Sequence, residues 1–159
     1  MEYEKLGRTQ LEVSKIGFGC GGTGAIMVKG SLSERLEAVQ YALGKGINYF
    51  DTAPAYGNGI SESNLGEILS LITEDVIVSS KVRPLPEEWK DLQGSITKSV
   101  DNSLKRLNLD VLDIIQIHNH LTEEEEARFG MSVSFDRLMH IAEILRDVQS
   151  MGKVRFIGF

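Results

Sequence analysis

Apolar positions along this chain switch repeatedly between a two-residue and a 3.6-residue period. From Glu2 to Ser14, short alternating stretches flank Gly7 and Arg8, which predicts a β-hairpin lying outside the main repeat. A first strand is expected over Val13 to Gly19. Ser31 and Glu34 then make a capping-box pair ahead of Leu36, Val39 and Leu43, which share one helix face, and Gly44 and Gly46 end that helix. A second strand, Ile47 to Asp51, leads through a loop containing proline and glycine to a short helix around Ser61 to Leu71. A third strand covers Val76 to Lys81. The stretch from Val82 to Asp91, with Pro84, Pro86 and Trp89, reads as a long loop. Ile96, Val100, Leu104 and Leu107 return to helical spacing, and a fourth strand spans Val111 to His118. Phe135, Leu138, Met139, Ala142, Leu145 and Val148 mark another helix before a fifth strand, Val154 to Phe159.

Strands that read as near-continuous apolar runs, such as VIV and IIQI, belong in a parallel sheet covered by helices. The fold class expected is therefore α/β. A closed parallel barrel has eight βα units and about 250 residues, so four units plus one strand predict the first four and a half units of a (β/α)8, or TIM, barrel. Residues 1–159 form a single partial domain on this reading, preceded by the hairpin. A terminal strand of such a sheet leaves N–H and C=O groups unpaired along an apolar edge. Self-association, or pairing with a missing carboxyl-terminal half of the barrel, is the expected remedy.

Composition narrows the partners. With 42% hydrophobic and 25% charged residues, the 159-residue chain has the make-up of an ordinary globular protein. Its 23 acidic against 17 basic residues, a net charge of −6, repel a phosphate backbone and argue against nucleic acid. No apolar run has the length to span a bilayer, so no membrane partner is expected. The lone Cys20 cannot form an internal disulfide, and the opening MEYEKLGR is charged where a signal peptide turns apolar. A reducing cytoplasmic location is predicted.

Three of the expected strands end on residues suited to proton chemistry: Asp51, Lys81 and His118, with Tyr56 just past the first. Parallel barrel strands present their carboxyl ends to one mouth, where barrel enzymes place their chemistry. The run Asp51-Thr-Ala-Pro-Ala-Tyr56-Gly, then Ser61-Glu62-Ser63-Asn64-Leu65-Gly66, Lys81, His118 and Gly152-Lys-Val-Arg-Phe-Ile-Gly158 resembles the aldo-keto reductase family. Within that family, Gly46-Ile47-Asn48, Asn119 and the Pro84-to-Trp89 loop look most like the branch acting on aldoses. The resemblance implies a catalytic set of Tyr56 as general acid, Lys81 and Asp51 as its tuning pair, and His118 beside the substrate carbonyl. It further implies NADP or NAD as cofactor, with Gly22, Thr23 and Asp51 among its contacts. His118, Asn119 and Trp89 would meet a small carbonyl or sugar substrate, and no metal is involved.

That assignment has an independent chemical logic. Hydride delivered to a carbonyl carbon creates an alkoxide, which needs an acid nearby to stabilise and protonate it. A free phenol, with a pKa near 10, is too weak. An ammonium about 4 Å away contributes roughly 4 kcal/mol at an effective dielectric near 20, and a carboxylate holds that ammonium charged in a buried mouth. A neutral imidazole can donate one N–H to the carbonyl oxygen. Taken singly, each residue has a plainer reading as a loop cap, a core side chain or a solvated strand end; their joint placement at three strand ends carries the assignment.

Other patterns compete. Gly19-Cys20-Gly21-Gly22-Thr23-Gly24 fits the G-x-G-x-x-G fingerprint of a Rossmann site, but the helix should open at the last glycine and here helical spacing starts only near Ser33. Those glycines are instead expected to let backbone approach cofactor or substrate. His118 and His120 would share one face of a strand, a metal-ligand spacing, yet His140 is the only other histidine and sits within a predicted helix. Glu123 to Glu126 reads as the solvated start of a helix. A non-catalytic half-barrel that serves as an assembly module, lacking the cofactor clamp, is the alternative to an enzyme.

Overall fold

The computed structural model describes residues 1–22, 25–123 and 132–159. A hairpin of β1 (Tyr3–Lys5) and β2 (Glu12–Ser14) precedes the repeat, followed by β3 (Phe18–Gly19), α1 (Ile26–Lys29) and α2 (Leu32–Gly44). The repeat continues with β4 (Tyr49–Asp51), α3 (Ile60–Leu69), β5 (Ile77–Val82), a 3-10 turn at Pro86–Asp91 and α4 (Leu92–Leu107). Then come β6 (Leu112–Ile117), the short pair β7 (His120–Leu121) and β8 (Ser132–Val133), α5 (Phe135–Ser150) and β9 (Val154–Gly158).

The expected α/β half-barrel is present: β3, β4, β5, β6 and β9 form one all-parallel sheet in chain order. A Rossmann sheet reverses its order about the first strand, whereas here the first strand lies at an edge, so the dinucleotide-fingerprint reading of the glycines falls. Gly24 and Thr23 themselves lie outside the described residues, as do Glu124 to Glu126 of the acidic run. Two of the differences from the expected boundaries bear on the site. The first barrel strand is only Phe18–Gly19, because Val13 and Ser14 are taken up by antiparallel pairing with Glu4 and Tyr3. The fourth strand stops at Ile117, so His118 and His120 do not share a strand face, and His120 belongs to β7. Among the described residues no three His, Cys, Asp or Glu side chains converge as a metal set.

Alternation along the strands divides the interior into two layers. Phe50, Val78, Val82, Ile115 and Ile117 belong to a core shared with Val39, Leu65, Ile96, Val100, Leu107, Ile141 and Leu145 of the covering helices. A second cluster joins Ile114, Tyr49 and Phe156 to Leu11 and Val13, so the hairpin closes the amino-terminal end of the half-barrel. Asn48 ties that hairpin down: its Oδ1 accepts from Ser14 N at 2.7 Å and its Nδ2 donates to Glu12 O at 2.9 Å. The capping box of α2 forms as expected, with Glu34 Oε2 accepting from Ser31 N at 2.8 Å and Ser31 Oγ from Glu34 N at 3.3 Å.

One polar group lies deep between the sheet and its helices. Glu62 of α3 is fully buried and accepts from Ser80 Oγ of β5 at 2.5 Å and from Arg106 Nε of α4 at 2.7 Å. Arg106 Nη2 lies 2.6 Å from the same carboxylate and also donates to Ser103 Oγ at 3.3 Å. Three elements are thereby fixed to one another beneath the carboxyl end of β5. The Arg106 side chain is 29% exposed and Glu62 is not exposed at all, which makes the two ends of the pair unequal. Arg106→Met strands a buried carboxylate and is expected to destabilise the fold by about 3–5 kcal/mol. Glu62→Met leaves a guanidinium that can turn to water and should cost less. Urea denaturation of the two variants checks the order, and equal or reversed losses would contradict it.

Candidate active site

The carboxyl ends of β3 to β6 open to one side, and there Asp51, Lys81 and His118 converge with Tyr56. Lys81 points inward from β5 and is buried; its Nζ donates to Asp51 Oδ2 at 2.6 Å and to Thr52 O at 2.9 Å. The same ammonium lies 4.8 Å from the centroid of the Tyr56 ring, an arrangement in which the ring face attracts the cation. His118, just beyond β6, holds the ladder through its N–H to Val82 O at 2.9 Å and meets the Tyr56 ring edge-on at 89°, with centroids 6.0 Å apart. All four residues named from the sequence thus share one cluster. Among the described residues no group hydrogen-bonds the Tyr56 hydroxyl, which leaves its proton for a bound molecule.

The loop that carries Tyr56 is pinned at both ends. Tyr56 N donates to Ala53 O at 3.0 Å, and Ser61 N at the start of α3 donates to Tyr56 O at 3.2 Å. Behind the loop, buried Ser61 Oγ donates to Cys20 O at 2.9 Å and lies 2.9 Å from Thr52 Oγ1, joining the ends of β3 and β4 to α3. Gly21 is the seat of the ring: a Cβ there would lie 2.5 Å from Tyr56 Cδ2. Gly22 adopts a φ of +73°, which an L side chain rarely tolerates, and neither it nor Gly19 has an atom of any described residue within 4 Å of an added Cβ. Among the described residues the mouth side of β3 is open there. Burial, with Asp51 nearby, pushes the Cys20 thiol up to about 12, so it is an inert core group.

Several of these residues carried no sequence-based role. Glu62, Ser61 and Thr52 lie in the runs that carry the family resemblance but take no individual role from it, although Glu62 precedes Leu65 and Leu69 at helical spacing and so occupies the apolar face, where a carboxylate needs a partner. Gly21 was visible only as one of a glycine cluster. Trp89 and Asn119, expected to meet substrate, make contacts of their own in the fold. Trp89 packs partly buried against the core under the guanidinium of Arg137, 4.5 Å from its centroid. Asn119 donates to Pro84 O at 3.1 Å and keeps a buried Oδ1 without a partner among the described residues. Thr23 lies outside the described residues.

A cavity of about 350 Å³ opens beside the cluster, lined by Lys81 and His118, by Pro54, Ala55 and Asn58 of the Tyr56 loop, and by α4. Its volume is that of a small-ligand pocket. Desolvation, and then the Lys81 and Arg83 charges, push His118 below the ordinary histidine value of 6.5. Near neutral pH the imidazole is thus uncharged, with one N–H to donate.

A family model described as "Aldo/keto reductase family" matches residues 15–159. L-galactose dehydrogenase of Arabidopsis thaliana is 34% identical, covering 99% of this chain and 48% of its own length. Aldo-keto reductase YhdN of Bacillus subtilis (strain 168) is 33% identical over 99% of this chain and 46% of its own. In three dimensions the chain superposes on the holo form of aldo-keto reductase AKR11C1 from Bacillus halodurans with a TM-score of 0.76 at 27% identity, covering 99% of this chain and 49% of that one. The chain spans about half the length of the relatives it matches.

Two outcomes test the geometry. Gly21→Ala forces the Tyr56 ring from its seat and is expected to cost about 1–3 kcal/mol as overpacking, whereas Gly19→Ala, with nothing near its Cβ, should not incur that cost. Denaturation midpoints that fall equally for both would refute the seating of Tyr56 on Gly21. For His118, the folded chain binds fewer protons than the unfolded chain between its lowered value and 6.5. Stability should fall as pH drops through that window and level off below it. His118→Gln should remove this part of the dependence, and an imidazole NMR titration with its midpoint at or above 6.5 would overturn the account.

Proposed function

The chain belongs to the aldo/keto reductase family, and we propose that it carries the acid–base and carbonyl-binding part of a nicotinamide-dependent oxidoreductase interconverting aldehyde or sugar carbonyls and alcohols. The observation that carries this reading is the Asp51–Lys81–Tyr56 stack, with a phenol hydroxyl left free beside His118.

The reacting end of a nicotinamide fits the open side of this mouth, where Gly19 and Gly22 leave free space and Asp51 reaches the surface. Gly22, Thr23 and Asp51 are the residues proposed to hold it, with NADP or NAD as the cofactor. When bound, the cofactor supplies the hydride in reduction and accepts it in oxidation. As a C–H bond forms at the carbonyl carbon, the C=O π bond breaks with its electron pair moving onto oxygen, and Tyr56 transfers its hydroxyl proton to that oxygen; solvent reprotonates the phenolate afterwards. His118 donates its N–H to the same oxygen and so fixes the carbonyl's direction. The Lys81 charge, 4.8 Å from the ring centroid, favours negative charge developing on Tyr56. Asp51 and the Thr52 carbonyl keep that charge in a site where Lys81 is buried. A sugar or other polar carbonyl compound is the proposed substrate class, supported by the name of the L-galactose dehydrogenase relative.

A second reading is favoured by the chain's half-length match and by β9, which has one sheet neighbour among the described residues. On it the chain is a non-catalytic module that pairs through that edge with a second copy or with a complementary half-barrel.

Tyr56→Phe is expected to lower NADPH-dependent aldehyde turnover about 10²–10⁴-fold while leaving NADPH affinity nearly unchanged. Equal losses of both would contradict the role of Tyr56. NADPH titration of the unaltered chain, followed by fluorescence and by light scattering on the same sample, separates the two readings. Binding favours the oxidoreductase; an associated species that binds no NADPH favours the module.

A further inference from the structure

The cavity beside the tetrad has a wall that the chemistry at Tyr56 does not use. Ser95 and Ser99 of α4 line it together with Asn58, and Lys81 and His118 belong to the same lining. Residues four apart lie on one helix face, so the two hydroxyls point along the same wall. A third serine one turn further on, Ser103, is fully buried and engaged by Arg106. Ser95 and Ser99, by contrast, have no hydrogen-bond partner among the described residues and are partly exposed. Glu88, also in the lining, uses Oε2 to accept from Leu85 N at 2.8 Å and retains its other oxygen. Pro54, Ala55, Val82 and Ile96 supply apolar surface between these groups.

We propose that this wall is a specificity site: Ser95 and Ser99, with Asn58 and Glu88 of the same lining, hold the hydroxyls of a polyhydroxylated carbonyl substrate whose C=O lies between Tyr56 and His118. The inference rests on the oxidoreductase reading and deepens it. Hydroxyls and a carboxylate oxygen without protein partners match a ligand carrying both donors and acceptors. A plain alkyl chain would cover them and leave them unsatisfied. A site built this way favours a substrate with hydroxyls over its isosteric alkane analogue. Its volume suits a small sugar.

The double variant Ser95→Ala/Ser99→Ala tests this, and alanine favours the helix, so α4 should persist. With NADPH, kcat/KM for erythrose is expected to fall about 10- to 100-fold while that for butanal, of equal carbon count, stays within about twofold. Equal losses on the two aldehydes, or no loss on erythrose, would overturn the specificity site and leave the oxidoreductase reading intact. If the unaltered chain reduces neither aldehyde, that reading fails on its own, and the wall is then judged by NMR. Shifts of the Ser95, Ser99 and Asn58 amides on titration with millimolar erythrose, lost in the double variant, uphold it; their absence overturns it.

Discussion

An ammonium group taken out of water costs several kcal/mol unless its charge is matched and its protons are used. Lys81 meets that condition with one carboxylate and one backbone carbonyl, both from the end of the neighbouring strand. The rest of the mouth follows from this pairing. Because β4 and β5 are adjacent and parallel, Asp51 can reach Lys81 only if the two strands keep the register Asp51↔Ser79. Because Thr52 gives its carbonyl to the lysine and its hydroxyl to Ser61, the chain leaving β4 is committed to the turn that lays Tyr56 over the ammonium.

Outside the barrel a second ion pair performs the matching task. Ser80 faces away from the mouth, one residue before Lys81, and bonds the buried Glu62 that also receives Arg106. Successive residues of one strand thus anchor two networks, one to each face, and both involve the segment from Thr52 through α3. The strand's own alternation couples the position of Lys81 to the position of the helix that follows Tyr56. Gly21 completes the set from β3's side by leaving room for the ring. Such support from residues that touch no reacting atom is what a catalytic geometry needs to hold its spacing.

The half-barrel also explains an asymmetry in the site. Groups suited to acid–base work come from β4, β5 and β6, and all lie within the chain. The side of the sheet beyond β9 carries Phe156, Ile157 and Phe159 next to a groove along Met139, Ala142 and Arg146 of α5. β9 is thus left as an edge of the sheet among the described residues.

Periodicity and residue type were enough to determine the parallel α/β repeat, the hairpin, the capped second helix and the polar residues at or near three strand ends, because each depends on spacing within a few residues. The first strand was overextended because Val13 and Ser14 satisfy the same alternation in either sheet; only pairing with Glu4 and Tyr3 decides between them. Trp89 and Asn119 are expected at the substrate, and the contacts they make in the fold come from Arg137 and Pro84, which are distant in sequence and invisible to local spacing. Glu62, Ser61 and Gly21 gained their meaning solely from tertiary contacts. A buried carboxylate and a missing Cβ signify nothing until the guanidinium and the aromatic ring they serve arrive from elements 44 and 35 residues away. Local sequence determined which chemical groups reach the mouth, and the packing of strands on helices decided which of them touch.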